Sequence, residues 1–456
     1  MHENRDAWAS NIGFVLAAAG SAIGLGNIWK FPGKIGANGG GTFIVVYLCI
    51  VVLIGFSIML AEIALGRFSQ SNSISAFTKI NKKWSFVGML GITAAFIILS
   101  YYSVVGGWVL KYIVTYLLGT GFTGGTEAYF VNFISQGVQP LIWHALFMSI
   151  VVFVVTRGVS AGIEKVSKVL MPVLLLILFA ITVRAVTLPG AEEGIKFLFQ
   201  FNVMDITPSL IISALGQAFF SLSLGMAIMI TYGSYVSKED SLTKSVAMIA
   251  GLDTCIALLA GFAIICAVFA TDPTLIGSGG GGFAFISLPN IFAQMPLGDV
   301  FGFLFFVLLF FAAFTSAISI LEGIVACVTE MFSIKRVKAT ILLGVVMYIV
   351  GCGYSLSQGA LPWLKLPWFD FANGLTFQAM GNVMEYLTDN LLIPLTALFV
   401  CIFVGHIWGT TNAIEEIKVG SEFKMQKTWV FSIKYICPIA IAVILFTTLV
   451  LGTSIS

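Results

Sequence analysis

Ionisable and hydroxyl side chains inside long apolar runs are read first, because each is costly at membrane depth and is functional by default. Asp253 stands in Leu252-Asp253-Thr254-Cys255, well inside one apolar run, and Glu62 lies inside another. Thr315 and Ser316 place adjacent hydroxyls in a third. Such hydroxyls either bond back to their own helix or face a hard cation, which prefers oxygen. Two stretches can supply the missing partners. Gly20-Ser21-Ala22-Ile23-Gly24-Leu25-Gly26-Asn27 crowds three glycines and a serine into an apolar segment. Glycine weakens a helix through its backbone entropy. Non-helical backbone in a bilayer is tolerated only where protein or a polar cavity satisfies it. Freed carbonyls then ligate cations, and freed amides hold an anion such as a carboxylate. Alone, this stretch also fits a glycine packing face. The second stretch, Gly216-Gln217-Ala218-Phe219-Phe220-Ser221-Leu222-Ser223-Leu224-Gly225-Met226-Ala227, again sets serine and glycine in mid-run and favours two broken helices.

The elements that must position these residues follow from composition. The chain has 456 residues, 59% of them hydrophobic and 10% charged, with a mean hydropathy of +1.02. A water-soluble globule is excluded, and recurring apolar runs predict an all-α polytopic membrane protein. The net charge of +2 gives no case for nucleic acid. The charged start, Met1 to Asp6, does not fit a signal peptide, so the first helix is expected to be retained. The seven cysteines lack metal spacing and read as small packing residues. Spans are expected at 11–35, 41–68, 86–118, 138–156, 161–184, 208–236, 241–270, 298–331, 338–356, 377–407 and 429–453.

Basic residues concentrate in alternate loops, at Arg67 to Lys83, Arg157 to Lys168, Lys238 and Lys244, Lys335 to Lys338, and Lys418 to Lys427. These loops are expected to be cytoplasmic, which puts the amino terminus inside and the carboxyl terminus outside a cell membrane. The breaks in spans 1 and 6 lie five spans apart. An odd repeat length implies two inverted five-helix copies, and paired breaks point to a transporter's binding site. The chain then divides into a 1–10 segment, a first repeat over 11–184, a loop over 185–207, a second repeat over 208–407, a loop over 408–428 and an eleventh helix with the terminus over 429–456. Gly277 to Gly282 reads as a connector or a lid. Gly162 and Pro172 in span 5 predict a kink or an easily unwound end.

Gly20 to Asn27, Trp29-Lys30-Phe31-Pro32, Asn38-Gly39-Gly40-Gly41, Glu62-Ile63-Ala64-Leu65-Gly66-Arg67, Gly216 to Gly225 and Thr315-Ser316-Ala317 resemble the signatures of the neurotransmitter:sodium symporter family, in its order. Eleven spans resemble its prokaryotic branch of tyrosine and multi-hydrophobic-amino-acid transporters. The resemblance implies a leucine-transporter-like fold and two sodium sites. One is Ala22, Asn27, Ser221 and Asp253, with the substrate carboxylate. The other is Gly20, Ile23, Ala312, Thr315 and Ser316. The implied substrate pocket is Ser21, Ala22, Leu25, Gly26, Ile98, Tyr102, Phe220, Ser221, Ser223, Met226, Ser316 and Ile320. Tyr102 would donate its hydroxyl to the substrate carboxylate.

Asp253 stands where the family usually has asparagine. Chloride-dependent members place an anion beside it, near the positions of Tyr47, Gln217 and Ser221. A carboxylate of the protein's own implies chloride independence, and electroneutrality implies a proton on the empty return step. Glu62 is expected to bond the unwound backbone of span 6. Gly24 replaces the aspartate of monoamine-transporting members, which argues for a zwitterionic amino acid. Met226, flexible and polarizable, argues for large hydrophobic or aromatic L-amino acids. The outer gate is expected at Lys30 with Glu385 over Phe220, and the inner latch at Arg5, Trp8, Tyr235 and Glu330. An ion channel, a symporter of another zwitterion such as a betaine, and an intramembrane enzyme are the alternatives. His2, His144 and His406 are too far apart for a zinc-enzyme pattern, so no enzymatic activity is expected.

Overall fold

The computed structural model describes residues 7–278, 282–370 and 374–450. Among them, nine helices are long and apolar enough to cross a membrane, and a bent pair, Asn11–Ala22 with Gly26–Ala37, makes a further span. With the broken helix of span 6, they fall on the eleven expected stretches.

Span 1 begins at a Ser10 cap whose hydroxyl accepts the Gly13 amide at 3.1 Å. Its first half closes when the Ile23 amide donates to the Ala19 carbonyl at 2.7 Å. The chain then turns by 56° before a second helical piece runs from Gly26 to Ala37. Span 6 starts at Pro208, where a missing amide costs nothing, and Thr207 caps it by accepting the Leu210 amide at 3.2 Å. It stops at Ser221 and resumes over Ile228–Gly233. Between them Ser223, Gly225 and Ala227 take φ of 52°, 74° and 60°. Left-handed backbone at a non-glycine residue costs roughly 1–2 kcal/mol, so this turn is held by tertiary bonds. The Ser223 hydroxyl donates to the Ser21 carbonyl at 3.0 Å, and the Gly225 amide donates to Glu62 Oε1 at 2.9 Å. A side chain at Gly225 would also collide with the Ile393 carbonyl.

Spans 3 (Lys82–Leu118) and 8 (Gly298–Phe332) pack along each other, and span 8 also packs against the first half of span 1. Span 7 (Leu242–Thr271) packs on span 5 (Val159–Val186) and on both halves of span 1. The broken segments thus sit inside a ring of continuous helices.

Four local expectations change. Span 10 begins at Met380, because Lys365–Asp370 and Gly374–Ala379 pair as an antiparallel hairpin. Pro172 lies within a continuous helix, Lys165–Val186, and the irregularity comes earlier, as a wide turn over Val159–Glu164 after Gly158 at φ 90°. Residues 279–281 of the lid stretch lie outside the described residues. The segment after them, Phe283–Ala293, is helical and inserted, with the Phe285 carbonyl accepting from Tyr112 at 2.9 Å. Finally, Cys255 and Cys49 are exposed on the bundle surface rather than packed inside it.

A buried ionic clamp ties three connections together on the side of the bundle where span 2 ends. Arg67, fully buried, donates to Glu416 Oε1 at 2.7 Å and to the Asp240 carbonyl at 2.8 Å. Lys238 donates to both oxygens of Glu416, at 2.8 and 2.7 Å. Charges removed from water in this way must be paired and hydrogen-bonded, and here they are.

Candidate functional site

The two helix breaks meet at one polar cluster. Asn27, at the start of the second half of span 1, donates its side-chain amide to Ser221 Oγ at 2.9 Å and to Asp253 Oδ1 at 2.7 Å. Ser221, the last helical residue before the span 6 break, donates to Asp253 Oδ2 at 2.7 Å. Tyr47 donates to Ser221 at 3.4 Å, and Asn27 Oδ1 accepts the Gly24 amide at 3.4 Å. Asp253 is fully buried on span 7, and no basic side chain among the described residues pairs with it. Two neutral donors cannot compensate a carboxylate in a low-dielectric interior. The cluster therefore favours an added cation. The buried Ser21 hydroxyl has no hydrogen-bond partner among the described residues. Among the described residues no cluster of three or more histidine, cysteine or acidic residues forms there, and the donor set seen is neutral oxygen plus one carboxylate, suited to a hard monovalent ion.

On the other side of the break, Tyr102 on span 3 accepts the Leu25 amide at 3.2 Å. A Cβ built at Gly24 would lie 3.1 Å from the Tyr102 hydroxyl and 3.7 Å from Ser316 Oγ, so both hydroxyls face the unwound backbone. Gly26 lies beneath Phe220, whose ring a side chain at residue 26 would meet. Gly20 faces Thr315, with a Cβ there 3.1 Å from Thr315 Cβ. Thr315 itself donates to the Phe311 and Ala312 carbonyls of its own helix, at 2.9 and 3.2 Å. Ala22, Ile23, Ala312, Ile98, Met226 and Ile320 are all buried, Met226 within the span 6 turn.

The comparisons with known proteins bear on this arrangement. The family model of the sodium:neurotransmitter symporter family matches residues 5–121 and 133–455. The chain is 39% identical over 451 residues to the uncharacterized sodium-dependent transporter YhdH of Bacillus subtilis, covering 96% of each. It is 34% identical to an uncharacterized sodium-dependent transporter of Haemophilus influenzae, covering 98% of this chain and 99% of that one. The chain belongs to the sodium:neurotransmitter symporter family. A crystal structure of MhsT in complex with L-phenylalanine superposes with a TM-score of 0.87 at 40% identity, over 97% of this chain and 100% of that one. The symporter shares that fold, and it is a multi-pass membrane transporter rather than an enzyme.

Two residue groups that the sequence reading expects to act as gates are assembled differently from that expectation. Lys30 pairs with Asp389 at 3.2 Å, not with Glu385. Glu385, one turn earlier in span 10, instead accepts the Tyr354 hydroxyl at 2.9 Å. Residues four apart share a helix face, so only the height of span 10 against span 1 decides which reaches Lys30. Tyr101 joins this pair, its hydroxyl 3.5 Å from Asp389 Oδ1. Lys30 Nζ lies 4.4 Å from the centre of the Phe220 ring, so the pair and its aromatic roof form one layer.

At the opposite end, Trp8 donates its indole N–H to the Tyr232 carbonyl at 3.1 Å, and its ring packs on Tyr232 and Tyr235. Tyr235 donates to Glu322 at 2.8 Å, and Glu322 also pairs with Arg336. Glu330 accepts the Asn72 amide at 2.9 Å, and Arg5 lies outside the described residues. Sequence reasoning missed Asp389, Glu322 and Glu164. Glu164 anchors the amino-terminal segment by accepting from the Ala9 amide at 2.7 Å and the Ser10 hydroxyl at 2.9 Å. Its one visible signal is an acid placed four residues before Lys168 at a span end, which also fits an ordinary surface pair.

The outer pair gives a direct prediction. Lys30→Glu and Asp389→Lys are each expected to slow uptake about tenfold, and the double exchange to restore most of it, as for a half-buried pair worth roughly 1.4 kcal/mol. Initial uptake rates of the four proteins check this, and no recovery in the double variant rejects the pairing.

Proposed function

We propose that this symporter carries hydrophobic and aromatic L-amino acids together with sodium by alternating access. The observation that carries the reading is the uncompensated Asp253 carboxylate at the meeting point of two helix breaks. Ala22, Asn27, Ser221 and Asp253, with the carboxylate of the amino acid, hold one sodium ion as co-substrate. Gly20, Ile23, Ala312, Thr315 and Ser316 hold a second, Thr315 turning its hydroxyl from its own helix toward the Gly20 side. The amides of the span 1 break, with the Leu25 amide exchanging its Tyr102 partner for the ligand, and the Tyr102 hydroxyl orient the substrate carboxylate. Ile98, Ile320, Met226 and Phe220 enclose the side chain, and Ser21, Ser223, Leu25 and Gly26 complete the wall.

Asp253 supplies the negative charge that other family members take from chloride. Transport is therefore chloride-independent, and a proton on Asp253 balances the return of the empty site. Two inverted five-span repeats rock against each other, with the amino terminus cytoplasmic and the carboxyl terminus outside. Closure of Lys30–Asp389 over Phe220 seals one side, and release of Trp8 from Tyr232 and Tyr235 opens the other. The L-phenylalanine bound in MhsT supports the substrate class.

Uptake of labelled amino acids into proteoliposomes under an imposed sodium gradient tests the reading. L-phenylalanine, L-tyrosine and L-leucine are expected to accumulate, and glycine, charged amino acids and betaine to compete poorly. Preference for one of the latter group contradicts it. Thr315→Val and Ser316→Ala together are expected to raise the half-saturating sodium concentration about tenfold or more, since two ligand oxygens are lost. An unchanged sodium dependence removes them from the second site.

A further inference from the structure

A groove of 1180 Å³ opens on the outside of the bundle between spans 2 and 7. It exceeds the roughly 300–1,000 Å³ of a small-molecule pocket. Leu48, Val52 and Phe56 of span 2 and Leu258 and Phe262 of span 7 line it, and the lining is mostly apolar. Gly251 also lines it, and an added Cβ there would meet open space. One end is walled by Gly420 to Met425, and Lys244 and Lys424 stand at that end. That wall is fixed. Arg67, Glu416 and Lys238 clamp the connection just before it, and a Cβ at Gly420 would lie 2.9 Å from the Lys238 carbonyl.

Size, depth and charge together select the occupant. The groove faces the bilayer, so its ligand arrives through the membrane. From Lys244 to Cys255 is eleven residues, or about 16 Å of helix. That is half of the roughly 30 Å hydrocarbon core, the depth of one leaflet. The groove's apolar lining continues past that level to Phe262. Lys244 and Lys424 line the groove against one acid, Glu422, 4.0 Å from Lys424, which leaves one positive charge in excess at headgroup depth; elsewhere on the connection Lys418 and Lys427 are offset by Glu415 and the clamped Glu416. Lysines at that depth attract anionic headgroups.

We propose that the groove holds one anionic phospholipid, with its phosphate between Lys244 and Lys424 and an acyl chain lying over Gly251 to the level of Cys255. The chain rests against the back of the helix whose opposite face presents Asp253 to the polar cluster. Occupancy thereby steadies the position of span 7 against span 2.

The test is native mass spectrometry of the purified full chain, delipidated and then equilibrated with equal phosphatidylglycerol and phosphatidylethanolamine. The expected result is one retained phosphatidylglycerol, favoured about tenfold over phosphatidylethanolamine. Lys244→Gln with Lys424→Gln is expected to erase the preference while leaving some lipid bound. Gly251→Trp, which projects an indole into the open space beside residue 251, is expected to remove the bound lipid of either kind. Equal retention of the two lipids by the wild type overturns the proposal. So does phosphatidylglycerol retained unchanged by all variants, which places the lipid elsewhere. A homodimer that Gly251→Trp dissociates overturns it too, because the groove's occupant is then a second copy of the chain.

Discussion

Asp253→Asn is expected to lower sodium-driven uptake in chloride-free medium by about a hundredfold. The substitution keeps the shape and removes the charge. Asn27 at 2.7 Å and Ser221 at 2.7 Å remain in reach of the new amide, so the bundle should fold. What disappears is, among the described residues, the only acidic group in the cluster around Asn27 and Ser221, in a place where water cannot replace it. Removing the one carboxylate that the proposed buried sodium ion pairs with costs roughly 3 kcal/mol or more, which sets the hundredfold scale. Chloride should return part of the activity. Tyr47 and Ser221 present hydroxyls beside the lost charge, and Gln217, whose amide donates to the Gly26 carbonyl at 3.5 Å, is the third side chain that the family resemblance places at an anion site. Uptake measured with chloride and with gluconate separates the outcomes. An Asn variant that transports at the wild-type rate without chloride ends the proposal that Asp253 supplies the counter-charge.

Gly24→Asp is expected to weaken L-phenylalanine binding at least a hundredfold. A side chain leaving residue 24 starts 3.1 Å from the Tyr102 hydroxyl and 3.7 Å from Ser316, so its carboxylate would occupy the place proposed for the substrate's own. Two carboxylates sharing one dry site cannot both stay charged without a large penalty. Gly24→Asn separates charge from bulk and should lose about tenfold less affinity. An aromatic amine without a carboxylate, such as phenethylamine, is expected to gain on L-phenylalanine in the Asp variant. Competition binding reads both effects. An Asp variant that binds L-phenylalanine within threefold of the wild type places the substrate carboxylate elsewhere.

The parts of this molecule legible in its sequence are those with a strong local cause. Glycines and serines in mid-span marked both breaks, and the structure bends at Ile23 and turns over Leu222 to Ala227. An isolated carboxylate in an apolar run marked Asp253, and it lies beside Asn27 and Ser221. Glu62 was expected on the unwound backbone of span 6, and it takes the Gly225 amide.

The parts not legible depend on how far one helix slides along another. Glu385 and Asp389 lie about one turn apart, and a wide turn over Leu387–Leu392, which starts between them and contains Asp389, alters the helical count along span 10. Nothing local says which acid stands level with Lys30. The hairpin before span 10 was hidden for a similar reason. Its second strand, Gly374–Ala379, carries hydrophobics that continue into the helix, and only its pairing with Lys365–Asp370 separates the two. Thr315 shows a third limit, since a hydroxyl that can serve a cation can equally bond the Phe311 carbonyl one turn back.

Equilibrium binding of labelled L-phenylalanine to the purified protein, followed by scintillation proximity while sodium replaces choline, tests the central claim most directly. The account predicts binding that is absent in choline, rises saturably with sodium and is the same in chloride and gluconate. Binding of equal strength without sodium would contradict it.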